Sequence, residues 1–153
     1  MGAARGTNGT EERTMRFMVL VIAPQESEAA PPPKPEAFVA MQAYNEKAIK
    51  AGVLLAAEGL APSWQGARVK FSGGKHTVVD GPFAETKELV AGFWLLQTKT
   101  KEECIEWLKR APFLPGDTVE IRQVHEADEF AASDPTGELR AQEKRLRDQI
   151  SSR

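Results

Sequence analysis

The segment Phe17-Met18-Val19-Leu20-Val21-Ile22 restricts the possible folds more than any other stretch of this chain. Its side chains alternate between two sheet faces, and both faces are apolar. A strand of that kind is covered on both sides. Helices can supply one cover. In a chain of 153 residues the second is most simply a partner subunit. That length suits one domain with a real core and is too short for two ordinary ones.

Charge and cysteine content exclude several functions. With 20 basic and 22 acidic residues the net charge is −2, which leaves no electrostatic footprint for nucleic acid or an anionic membrane. The single Cys104 cannot form an internal disulfide or a multi-cysteine metal site. His76 and His125 are the only histidines, too few and too poorly spaced for a metal centre, so no metal and no cofactor are expected. The longest apolar run, Phe17 to Ala23, is about a third of a membrane span. Residues 1–14 are rich in Gly, Thr and charge, lack an apolar signal core, and read as a disordered leader. The protein is read as cytoplasmic.

Five prolines between Ala23 and Pro35 exclude helix and inner strand and make a stiff loop. Pro35 then suits a first helical turn. Ala37, Met41, Tyr44, Ala48 and Ala51 recur at helical spacing, widened by Phe38 and Ile49, up to a Gly52 cap. Val53 to Leu60 reads as a strand. Ala67–Phe71 and His76–Val79 flank a Gly-rich turn and read as a hairpin. Leu89 to Gln97 is a strand whose Gly92 marks a bulge or a close backbone approach. Thr100-Lys101-Glu102-Glu103 has the capping-box form and opens a helix to about Arg110. Thr118 to Val124 is the last strand. A polar tail, 126–153, follows, with a thinly apolar helix from Gly137 to Ile150. Without the inserted hairpin the order is β-α-β-β-α-β, the ferredoxin-like α+β arrangement.

Within that order the block Asp80-Gly81-Pro82-Phe83-Ala84-Glu85-Thr86-Lys87-Glu88 resembles the signature of the DGPF branch of the YCII-related proteins. Ala51-Gly52-Val53-Leu54, Glu58-Gly59-Leu60, Ala91-Gly92-Phe93-Trp94 and Val119-Glu120-Ile121-Arg122 support it, so that it covers roughly residues 15–125. The resemblance implies a ferredoxin-like subunit that dimerises with its sheets facing, as an α+β barrel. It also implies ill-defined biochemistry. Some relatives are enzymes with a His–Asp pair in a cleft; others accompany extracytoplasmic-function sigma factors. The histidine that the enzymatic pattern places in the first helix is missing from Met41-Gln42-Ala43-Tyr44-Asn45-Glu46, so that chemistry does not carry over.

The remaining candidates for catalysis are Glu58, His76 and Asp80. His76 and Asp80 are four apart on a strand and share a face, so the histidine could be an oriented base. Four strand residues span about 13 Å, however. The plainer reading makes Asp80 a turn cap, Gly81 a residue of free backbone angles, and Phe83 a core plug. Glu58 interrupts an apolar strand and calls for water or a partner such as Arg68 or Arg122. Arg68, Glu85, Lys87, Trp94 and Arg122 are candidate ligand contacts. Equally, Arg122 is one half of a cross-strand ion pair, Glu85 and Lys87 are solvated, and Trp94 is core. Two functions follow: a homodimer that binds a small molecule as an accessory in stress or sigma-factor-linked regulation, or a small-molecule lyase, isomerase or hydrolase working in the barrel cleft. Convergence of Glu58, Asp80 and Arg122 on one pocket would favour a pocket reading.

Overall fold

The computed structural model describes residues 13–83 and 88–153. Glu85, Lys87 and almost all of the expected leader lie outside the described residues. The protein is a mixed α+β chain with antiparallel sheets. Strand β1 (Met15–Pro24) leads through a short 3-10 turn to helix α1 (Pro35–Lys50) and strand β2 (Leu54–Gly59). A ribbon of β3 (Ala67–Ser72) and β4 (Lys75–Asp80) follows. Then come β5 (Glu88–Thr98), α2 (Lys101–Lys109), β6 (Thr118–Gln123) and α3 (Glu138–Ser151). The main sheet has the order β2-β5-β1-β6, every pair antiparallel.

The helix boundaries follow from local chemistry. Pro35 opens α1, and Gly52, at φ +71°, turns the chain out of it. At α2 the Thr100 hydroxyl accepts from the Glu103 amide at 3.1 Å. The Glu103 carboxylate reaches one residue further back than a capping box requires, to the Lys99 amide at 2.8 Å.

Both helices cover one face of the sheet. Phe17 and Val19 of β1 and Trp94 and Leu96 of β5 pack there with Tyr44, Cys104 and Leu108. Burying a side chain of this size stabilises by roughly 1.5–3 kcal/mol. Burial pushes the Cys104 thiol up to about 11, with the Glu103 charge adding to it, so the thiol is unreactive. The α1 stripe is narrower than its periodicity: Tyr44 and Ala48 are buried, whereas Phe38 and Ile49 are exposed.

The other face is apolar and open. Register pairs Met18 with Leu95 and Leu20 with Phe93. These four and Ile22 are only half-buried, and none belongs to the core beneath the helices. The β3–β4 ribbon is a separate two-stranded sheet, exposed along both strands.

The chain divides between Gln123 and Val124 into two compact units. In the second, Asp134 caps α3: its carboxylate accepts from the Leu139 and Arg140 amides at 3.2 and 3.0 Å and from Arg140 Nε at 3.2 Å. These bonds, the Arg140 amide's first, hold its pKa below the usual value. A lowered folded-state pKa gives stability that is complete above the unfolded value of about 3.9 and is lost as pH falls through the folded one. Asp134→Ala should therefore accelerate amide exchange at Leu139 and Arg140 at neutral pH and remove the loss of protection that the wild type shows in acid. Unchanged exchange at neutral pH would refute the cap. The i,i+4 pairs expected on this helix are formed, Glu143 with Arg147 and Lys144 with Asp148.

Candidate functional site

The sequence candidates do not gather. Glu58 stands on β2 and Arg122 on β6, the two outer strands of the sheet. Three strand spacings, roughly 14 Å, separate them. The cross-strand ion pair expected between them is not made; Arg122 bonds Glu120 of its own strand at 3.4 Å. His76 and Asp80 lie on the separate ribbon. They share a face there, but with Val78 between them, and the His76 ring packs edge-on against Phe71 at 4.8 Å between centroids. The chain does not fold back at Asp80, so the pair proposed as base and orienter is not formed.

Around Gly81 the block from Asp80 has a structural role. Gly81 does not have a positive φ, so free backbone angles do not explain it. A Cβ at Gly81 would lie 1.8 Å from the carbonyl oxygen of Ser63. Ser63 is itself gripped by Glu28, which accepts from its amide and its hydroxyl, both at 2.7 Å. The Gly81 amide donates to Gly66 at 3.0 Å. Phe83 does not plug the core. It is half-buried, and the Arg68 guanidinium lies over its ring at 3.9 Å. That placement gives Arg68 a cation–π partner.

A different set of residues forms an open concavity beside the sheet. Across β5 from β2, the register skips Ala91, a bulge that sets Val21 opposite Gly92 and Ile22 opposite Val90. A Cβ on Gly92 would sit 2.9 Å from the Glu58 carbonyl oxygen, so the glycine serves both expected purposes. Bulges of this kind re-aim side chains next to sites. Beside it opens a cleft of about 420 Å³ between Met41 and Asn45 of α1, the Ala57–Gly59 end of β2, Gly92–Trp94 of β5, and Phe113. Trp94 is wedged between Tyr44 and Phe113, with ring centroids 5.4 and 5.5 Å away. Among the described residues, none hydrogen-bonds the buried Oδ1 of Asn45.

Of the sequence candidates, Glu58 and Trp94 border this cleft. Arg68 borders a separate hollow of about 280 Å³ with Glu28 and Ser63. Asn45, Met41 and Phe113 were not singled out by sequence. Asn45 sits just beside the apolar stripe of α1, and a polar residue there is the one signal that could have found it. Among the described residues no three His, Cys, Asp or Glu side chains are placed to hold a metal, and no helix is long and apolar enough to cross a membrane.

The chain matches the YCII-related domain family over residues 15–128. It is also 35% identical over 69 residues to an uncharacterized protein of Rhizobium meliloti (strain 1021). That stretch is 45% of this chain and 56% of the relative, so the chain spans just over half the relative's length.

Proposed function

The chain belongs to the YCII-related family, and from that premise we propose that it is a homodimeric small-molecule-binding protein whose site is the cleft between α1 and the Gly59–Gly92 end of the sheet. One observation supports the choice of binding over catalysis: among the described residues Glu58 is the only ionisable residue lining that cleft. An acid–base reaction would need a second group with a different proton affinity in reach of the substrate. Apart from Asn45 the rest of the described wall is apolar or glycine, and the cleft's volume falls within the range of small-molecule sites. The β2-β5-β1-β6 order supports a ferredoxin-like subunit. The half-buried Met18, Leu20, Phe93 and Leu95 face supports a second copy of the chain as its cover, in the manner of a dimeric barrel. An accessory role in stress or sigma-factor-linked regulation in the cytoplasm fits a binding protein whose described residues bring no catalytic set together.

The test is a thermal-shift screen of small organic compounds against the wild type and Ala57→Phe, which fills the cleft. Saturation at 100 times Kd stabilises by about 2.7 kcal/mol, a rise of roughly 5–10 °C for a chain of this size. Hits should be lost in Ala57→Phe. Hits that survive it would place binding elsewhere. Turnover abolished by Glu58→Gln would favour the enzyme reading.

A further inference from the structure

We propose that the β3–β4 ribbon is an arm whose apolar face packs against a second copy of the chain. This rests on the homodimer reading and adds to it a contact outside the main sheet. The two faces of the ribbon differ in chemistry. Register places Ala67, Val69 and Phe71 of β3 beside Asp80, Val78 and His76 of β4 on one face. Arg68, Lys70 and Ser72 share the other face with Val79, Thr77 and Lys75. The arginine and both lysines therefore lie on one side, and Val69, Phe71 and Val78 form an apolar patch on the other.

The root of the ribbon fixes which side looks outward. Arg68 lines a hollow with Glu28, Leu60 and Ser63, and its guanidinium covers Phe83. Its face is turned toward the chain's own body, so the Val69 face is turned away from it. Exposure agrees: Val79, on the Arg68 face, is 37% exposed, against 52% for Val69, 63% for Val78 and 76% for Phe71. A contiguous apolar patch of this kind marks an interaction surface, unlike hydrophobic residues scattered singly. Area identifies the occupant. The open face of the four-stranded sheet has a flat footprint of roughly 400 Å² at ordinary strand spacing and rise. Each partner of a standard interface commits roughly 800 Å². The six-residue strands of the ribbon add roughly 200 Å² of further face, which brings a sheet-to-sheet dimer close to that size. A two-fold axis supplies the contact twice, one arm from each copy.

The test is isotope-filtered NMR on a mixture of labelled and unlabelled full-length chains, in which only contacts between copies give a signal. The Val69 and Val78 methyls should show contacts to the other copy, as should Leu20 and Leu95 on the sheet. Adjacent substitutions on the two faces of the ribbon supply the energetics. Phe71→Ser removes an aromatic ring from the contact in each copy and should raise the dimer dissociation constant about a hundredfold. Lys70→Ser, on the opposite face, should change it by no more than about twofold. Phe71 is exposed within one chain, so its replacement spares the core, and the NMR contacts need no variant at all. If the wild type is a dimer whose contacts are confined to the sheet, or if both substitutions weaken it equally, the sheet dimer stands and the arm is refuted. A wild-type monomer would overturn the dimer and the arm together.

Discussion

Gly81→Ala is expected to unseat the β3–β4 ribbon and to destabilise the protein by about 3 kcal/mol, at the upper end of overpacking effects. The cause is a backbone collision. The new methyl would lie 1.8 Å from the Ser63 carbonyl oxygen and 2.6 Å from its carbon, and no rotamer change relieves a backbone clash. Ser63 cannot retreat without breaking both bonds to Glu28, and the Gly81 amide would leave Gly66. The melting temperature should fall by roughly 6–12 °C. Amide exchange at Val69 and Val78 should rise, because a two-stranded ribbon alone is marginal in water. The control is Gly74→Ala in the ribbon turn. Gly74 has φ +79° and nothing within 4 Å of its added Cβ, so only the left-handed backbone penalty applies, about 1–2 kcal/mol. If Gly81→Ala melts no lower than Gly74→Ala, close packing of the turn is not what the glycine provides.

That pair of glycines shows where sequence reading ends. The turn chemistry of Ser72-Gly73-Gly74-Lys75 is local, and the hairpin it implies is the one found. Gly81 answers to Ser63, eighteen residues earlier, through a contact with no local pattern. The two-sided apolar β1, the Thr100 cap and the Gly92 bulge were legible because periodicity and short-range bonding determine them. Glu58, His76, Asp80 and Arg122 are signalled by residue type and by position along single strands. Whether they meet depends on sheet order, and β5 and β1 stand between Glu58 and Arg122. Asn45 carries no such signal, because only the packing around α1 buries its oxygen.

Leu20→Glu should convert a dimer into a monomer if the open sheet face is where a second copy packs. Leu20 lies on β1, an inner strand, opposite Phe93 and on the face away from the helices. The buried neighbours Phe17 and Val19 point to the other side, so the core within one chain is left intact. A two-fold axis presents each substitution twice. Each copy loses a buried leucine, worth about 1.5–3 kcal/mol, and gains a carboxylate that must be desolvated or left in water. A combined loss of roughly 4–6 kcal/mol raises the dimer dissociation constant by about a thousandfold or more. Sedimentation velocity at micromolar concentration should give a dimer for the wild type and a monomer of unchanged helix content for Leu20→Glu. Glu120→Lys, on the same face but on the outer strand β6, sits at a polar rim where one charge costs little, and should leave the dimer intact. A wild type that sediments as a monomer would leave Met18, Leu20, Phe93 and Leu95 without the cover that both apolar faces of β1 call for, and the dimer would have to be abandoned.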